Sequence, residues 1–148
     1  MQDTQISSAE WEVMRVVWAS EHSTSKEIIE VLERKMEWKP ATTKTLIGRL
    51  VKKGVLNTDK QGHKFIYSSV LKEAVYVQKA SQELLSKICT KKVGKTIALM
   101  VEDNTISQKD IEKLEMLLQE KKANAPEEVA CQCIQGQCDC HIEGGEHF

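Results

Sequence analysis

The stretch "CQCIQGQCDC", residues 131 to 140, packs four cysteines into ten residues, and the remaining 138 residues of the chain hold only one more, Cys89. Cys131 and Cys133 form one Cys-x-Cys pair, Cys138 and Cys140 another, with Ile134-Gln135-Gly136-Gln137 between them. Residues i and i+2 of an extended segment point the same way, so a reversal at Gly136 aims all four sulfurs at one point. Such a set is a soft metal site. Four thiolates hold one tetrahedral Zn²⁺ at about 2.3 Å, whereas Cu⁺ is taken by fewer sulfurs and packs into small thiolate-bridged clusters. Cys-x-x-Cys knuckles would point to a structural zinc finger; the tighter spacing, used twice without distant partners, favours Cu⁺ and leaves zinc open. A redox sensor cycling between dithiol and disulfide is a second use of the same thiols, and a copper buffer a third. A structural disulfide framework is disfavoured, because "MQDTQISSAE" has neither the basic start nor the apolar stretch of a secretory leader and a cytoplasmic setting is expected. His141 follows the last cysteine as a spare ligand or a solvated side chain. Cys89 is expected as a buried thiol on the apolar side of a helix. His22, His63 and His147 have no ligand-like setting.

A second kind of chemistry lies in the charge. The net charge of -1 conceals a basic segment in which Lys39, Lys44, Arg49, Lys52, Lys53, Lys60 and Lys64 face a single acid, Asp59, while both flanks are acidic. Segregation of this kind is the footprint of a phosphate-binding face. A nucleophile with a matched base, a phosphate-cradling glycine loop and a helical His-Glu pair are all missing from the sequence, so an enzyme is not expected.

The elements that must carry these residues are legible from their ends. Ser7 and Glu10 make an S-x-x-E capping box, with Ile6 and Trp11 as its hydrophobic staple, and open a helix from about Ser8 to Ser20. Thr24 and Glu27 repeat the pattern ahead of Ile28, Val31 and Leu32. Pro40 suits the first turn of a third, basic helix that Gly54 ends. Beyond it "VLNTDK" and "KFIYSSV" read as strands joined through Gln61-Gly62-His63. Three short helices closed by a hairpin are the order of a winged helix, a helix-turn-helix variant, over residues 1–71. Its expected core is Trp11, Met14, Val17, Trp18, Ile28, Leu32, Leu46, Leu50, Leu56 and Phe65.

On the third helix, Thr43, Leu46, Ile47 and Leu50 share one side, and Ala41, Thr42, Thr45, Gly48, Arg49 and Lys52 the other. The second side suits a DNA major groove, a protein-binding module being the other use of a winged helix. Threonine donates to or accepts from base edges, Arg49 matches guanine or phosphate, and Ala41 and Gly48 permit close approach. Lys44, Lys53, Lys60 and Lys64 are assigned to phosphates, and Lys39 joins the DNA-binding set. Residues 72–122 are expected to be helical, with Val77, Leu84, Leu85 and Ile88 on one face, a division at Gly94, and a last helix opened by Ser107 and Asp110 and ending near Lys121. Helices with so little partner surface of their own predict a dimerisation region, the alternative being that they fold back on the winged helix. Residues 123–148 then form a linker, "KKANAPEEVA" ending the helix, and the thiol tail. The fold class is therefore mainly α with a small β-hairpin wing.

Taken together, "ISSAEWEVMRVVW", "TTKTLIGRLVKKGVL", "ISQKDIEKLEMLL" and the Cys-x-Cys-x4-Cys-x-Cys tail resemble the CopY-type copper-responsive repressors of the penicillinase-repressor family (BlaI/MecI) over nearly the whole chain. The resemblance implies a homodimer on double-stranded DNA, bound to a palindromic operator ahead of copper-export genes. It implies Zn(II) on Cys131, Cys133, Cys138 and Cys140 in the DNA-bound form, Cu(I) as the inducer on the same residues, and delivery by a copper chaperone. The penicillinase branch of that family is switched by cleavage at an Asn-Phe bond, and this sequence contains no such dipeptide.

Overall fold

The computed structural model describes residues 5–140. The chain divides after Gln78 into two compact units. In the first, α1 (Ser8–Ser20), α2 (Ser25–Met36) and α3 (Pro40–Lys52) alternate with a three-stranded antiparallel sheet made of β1 (Ser23–Thr24), β2 (Leu56–Gln61) and β3 (Lys64–Ser69). The strand order is β1-β3-β2. Both expected capping boxes are present: Ser7 and Thr24 accept from the backbone N–H of Glu10 and Glu27, and each glutamate reaches back to its cap's own N–H. Gly62, at a positive φ of 65°, makes the hairpin turn, and the register runs from Gln61↔Lys64 to Leu56↔Ser69.

The core is built by helical spacing. Val13, Met14 and Val17 of α1, Ile28 and Leu32 of α2, and Leu46, Ile47 and Leu50 of α3 meet beneath Val55, Leu56 and Tyr76. Trp11 and Trp18 pack against this core half-buried, as an edge-to-face pair with ring centroids 5.4 Å apart. The Trp18 indole N–H donates to Ser69 Oγ at 3.0 Å, which satisfies its polar edge. Phe65 corrects the expected core: it is 46% exposed. It sits opposite Lys60, one pair from the hairpin turn, where Asp59, Lys60 and Gln61 of β2 and Lys64 of β3 are exposed. The unit extends beyond Leu71 because Tyr76, in the first turns of α4 (Glu73–Ser86), is buried against Trp18.

One buried carboxylate belongs to this frame. Glu10 Oε1 accepts from Lys53 Nζ at 2.8 Å and from the Ser7 N–H at 3.3 Å. Burial alone raises the Glu10 carboxyl, but the hydrogen bonds from Lys53 and Ser7 outweigh it and hold the group below its ordinary value. A depressed carboxyl contributes stability above its unfolded pKa and loses it as pH falls through the folded one. Lys53→Met leaves the carboxylate buried without its cation. Urea unfolding at neutral pH is expected to show a loss of about 1–3 kcal/mol, below the fully buried case because Lys53 is partly solvated. The gap to wild type should narrow in acid, where Glu10 is neutral in both proteins.

The second unit holds the rest of α4, a 3-10 turn (Thr90–Lys92), α5 (Val93–Asp103) and α6 (Gln108–Asn124). Two expectations shift here. The division of the long helix falls at Lys87 to Cys89 rather than at Gly94, which lies in the first turn of α5, and α6 runs on to Asn124. No residue of α5 or α6 is buried, and Ile97, Leu99, Met100, Val101, Ile111, Met116, Leu117 and Leu118 are all exposed. Among the described residues no helix is long and apolar enough to cross a membrane.

Candidate functional site

The sequence reading singles out two sets of residues, and each is gathered within one unit. On α3 the two faces separate as the periodicity predicts. Thr43, Leu46, Ile47 and Leu50 are buried, and Ala41, Thr42, Lys44, Thr45, Gly48, Arg49 and Lys52 are exposed. Lys39 caps the helix, Pro40 opens it, and Thr45 Oγ1 donates to Ala41 O at 3.0 Å, leaving its lone pairs outward. Lys60 and Lys64 are exposed on the two strands of the hairpin, near its turn. A Cβ added at Gly48 meets nothing within 4 Å, so packing inside the chain does not require glycine there. Lys53 stands apart from the other cations, because its Nζ is engaged by Glu10 and by Gln5 O at 2.9 Å.

In the second unit, Gly136 at φ 94° and a bond from Gln137 N–H to Ile134 O at 3.1 Å make the reversal between the Cys-x-Cys pairs. The sulfurs of Cys131, Cys133 and Cys138 are drawn together, by a turn rather than by strand pairing, and Cys140 lies outside that set. Cys131 and Cys138 stand 3.2 Å apart. The sequence reading missed a fifth thiol. Cys89 Sγ lies 3.5 Å from Cys131 and 3.3 Å from Cys140, one sulfur from each pair. The sulfurs of Cys89, Cys131, Cys133 and Cys138 all lie within 4.8 Å of one another. Cys89 is buried as expected, but not on a helix: α4 ends at Ser86, and Cys89 is the N-cap of the 3-10 turn, at φ -56° and ψ 137°. The weak helix formers Ile88, Cys89 and Thr90 were the available signal for that break. His141 lies outside the described residues.

The tail is tied down on both sides of this cluster. Thr90 Oγ1 donates to Ala130 O at 2.7 Å, and Lys92 Nζ pairs with Asp139 Oδ1 at 3.2 Å. Proton affinities within the cluster diverge. The backbone N–H of Lys91, followed by the Cys140 thiol, draws Cys89 down to about 6. The Cys140 N–H likewise lowers Cys138. Burial, then the bond to Cys138, pushes Cys133 up to about 12; the bond to Cys89, then burial, pushes Cys140 up to about 12. The metal-free cluster is thus part thiolate and part thiol, and a cation that binds every sulfur must release the remaining protons. The donor set fits a soft metal: sulfurs around a tetrahedral ion with bonds of about 2.3 Å stand about 3.8 Å apart, inside the span seen here.

A sequence profile of the penicillinase repressor family matches residues 6–120. The chain is 45% identical over 139 residues to an uncharacterized 16.5 kDa protein in the ptsI 3′ region of Latilactobacillus sakei, covering 94% of this chain and 95% of that one. It is 35% identical over 117 residues to the methicillin resistance regulatory protein MecI of Staphylococcus aureus, covering 79% of this chain and 95% of MecI. Among solved structures, one described as the CopR repressor structure is 44% identical, covering 46% of this chain and 99% of that one, at a TM-score of 0.40. With more than two thirds of its length matched by a repressor profile and an exposed basic helix on a winged domain, the chain belongs to the penicillinase repressor family, a DNA-binding transcriptional repressor and not an enzyme.

Proposed function

We propose that this repressor responds to copper through its thiol tail. The observation that carries the reading is the convergence of the tail sulfurs of Cys131, Cys133 and Cys138 around Cys89, with Cys140 also against Cys89, held by Gly136 and by the ties at Thr90 and Lys92, in a chain whose preceding residues are those of a repressor. Cys131, Cys133, Cys138 and Cys140 hold zinc in the DNA-binding form and exchange it for Cu⁺, which releases the DNA. Bound there, either ion supplies the charge that lets neighbouring thiols ionise together.

On the DNA side, Ala41, Thr42, Thr45 and Arg49 meet base edges, with the open space at Gly48 allowing the duplex to approach. Lys39, Lys44, Lys52, Lys60 and Lys64 meet phosphates. Lys53 contributes charge while bonded to Glu10. The apolar residues left exposed on α5 and α6 support a homodimer, since large apolar side chains in this number call for a partner. A two-fold dimer reads a palindrome, here the operator of copper-export genes.

The test is a Cu⁺ titration, under strict reduction, into zinc-loaded protein bound to a labelled palindromic site selected from random-sequence DNA. Anisotropy and released zinc should change in step, with operator affinity falling about 5- to 150-fold, the range of a coupling of about 1–3 kcal/mol. Zinc released while the DNA stays bound overturns the reading.

A further inference from the structure

We infer that Cys89 is a ligand of the copper-loaded site, so that the site is built from two segments, the tail and the turn between α4 and α5. The inference rests on the copper reading above and extends it to a residue outside the tail motif. Three observations point to it. Cys89 Sγ is placed against Cys131 of the first Cys-x-Cys pair and Cys140 of the second, the position of a sulfur shared between them. It belongs to the compact four-sulfur set together with Cys131, Cys133 and Cys138. And, though buried, it lies outside the hydrophobic cluster of the first unit, so packing of that cluster does not explain its burial.

The surroundings are those of a prepared site. Thr90 and Lys92, one and three residues after Cys89, tie the tail down through Ala130 next to Cys131 and Asp139 next to Cys140. The ties therefore fix both ends of the thiol segment against the turn that carries Cys89. Ligand number then separates the metals. A tetrahedral zinc uses four sulfurs and leaves one of the five over, while Cu⁺ ions bridged by shared thiolates can engage all of them. Each sulfur that still carries a proton gives it to solvent on binding. Cys89 lies three residues beyond α4. Copper held by Cys89 is thus held by the turn between α4 and α5 and not by the tail alone.

The experiment uses the full chain with Cu⁺ as the only metal, in competition with a Cu⁺ chelator under strict reduction, on wild type, Cys89→Ser, Thr90→Val and the protein with serine at all four tail cysteines. Alkylation at Cys89 is followed by mass spectrometry, and circular dichroism confirms that each variant is folded. Cys89 should be alkylated at least about tenfold more slowly in copper-loaded than in metal-free wild type, and Cys89→Ser should weaken Cu⁺ binding at least about tenfold, the size seen on losing even a supporting residue of a metal site. Thr90→Val loosens the docked tail without removing a sulfur, and should keep the wild-type copper content at saturation. Equal alkylation rates with and without copper, or a Cys89→Ser protein that matches wild type in affinity, overturn the inference while the tail reading stands. Undiminished Cu⁺ binding by the four-serine protein overturns the tail reading itself.

Discussion

Serine at Cys131, Cys133, Cys138 and Cys140 together is expected to abolish the copper response of DNA binding and leave the winged helix intact. Hydroxyls replace sulfur at nearly constant volume but are poor ligands for Cu⁺, which selects soft donors. Cys89 is then the only thiol left in the chain, and a single sulfur holds neither ion in a closed site. The hydrophobic core of the first unit receives no residue from the tail, so its melting should be unchanged. In the Cu⁺ titration the fall of about 5- to 150-fold expected for wild type should collapse to no change at all. The unstimulated affinity of this variant should equal that of metal-free wild type, because neither protein carries zinc. Copper that still releases DNA from the four-serine protein would place the sensor outside the tail. Oxidant that releases DNA from wild type as well as Cu⁺ does would make the thiols a redox sensor instead.

What the sequence reveals and what it hides divide by the separation of the partners. The capping pairs Ser7/Glu10, Thr24/Glu27 and Ser107/Asp110 are bonds between residues three apart, and each stands where its pattern predicts. The two faces of α3 follow from its 3.6-residue period, and the turns at Gly62 and Gly136 from what a positive φ demands. The misses are contacts across the chain. Strand β1 is two polar residues that become a strand only by pairing with Ile66 and Tyr67. Alternation puts Phe65 on a face of β3 but does not say how far the wing reaches beyond the helices that cover it. The charge of Lys53 can be counted in the sequence, while its partner Glu10 is 43 positions away. Cys89 is 42 positions from Cys131, and nothing local distinguishes a thiol that meets the tail from one that fills a core.

Arg49→Ala and Leu50→Ala, neighbours on α3, should both lose DNA binding, for opposite reasons. Arg49 is exposed on the outer face and its side chain is absent from the core, so its truncation should leave the melting temperature within a degree or two, as expected for surface changes. Operator affinity should fall by about 1–3 kcal/mol, or about 5- to 150-fold, if the guanidinium meets a guanine edge, with relaxed preference at that base pair. A loss spread evenly over all sequences, with a shallower salt dependence, would assign it to phosphate. Leu50 is 0% exposed at the meeting of the three helices. Its truncation should cost about 2–5 kcal/mol, a large share of the stability of so small a domain. The loss of DNA binding should then follow the unfolded fraction, and an excluded osmolyte that refolds the domain should restore it; the same osmolyte should do nothing for Arg49→Ala. Melting of Leu50→Ala at the wild-type temperature would mean that α3 is not held by this face. Wild-type operator affinity in Arg49→Ala would remove Arg49 from the DNA-reading surface.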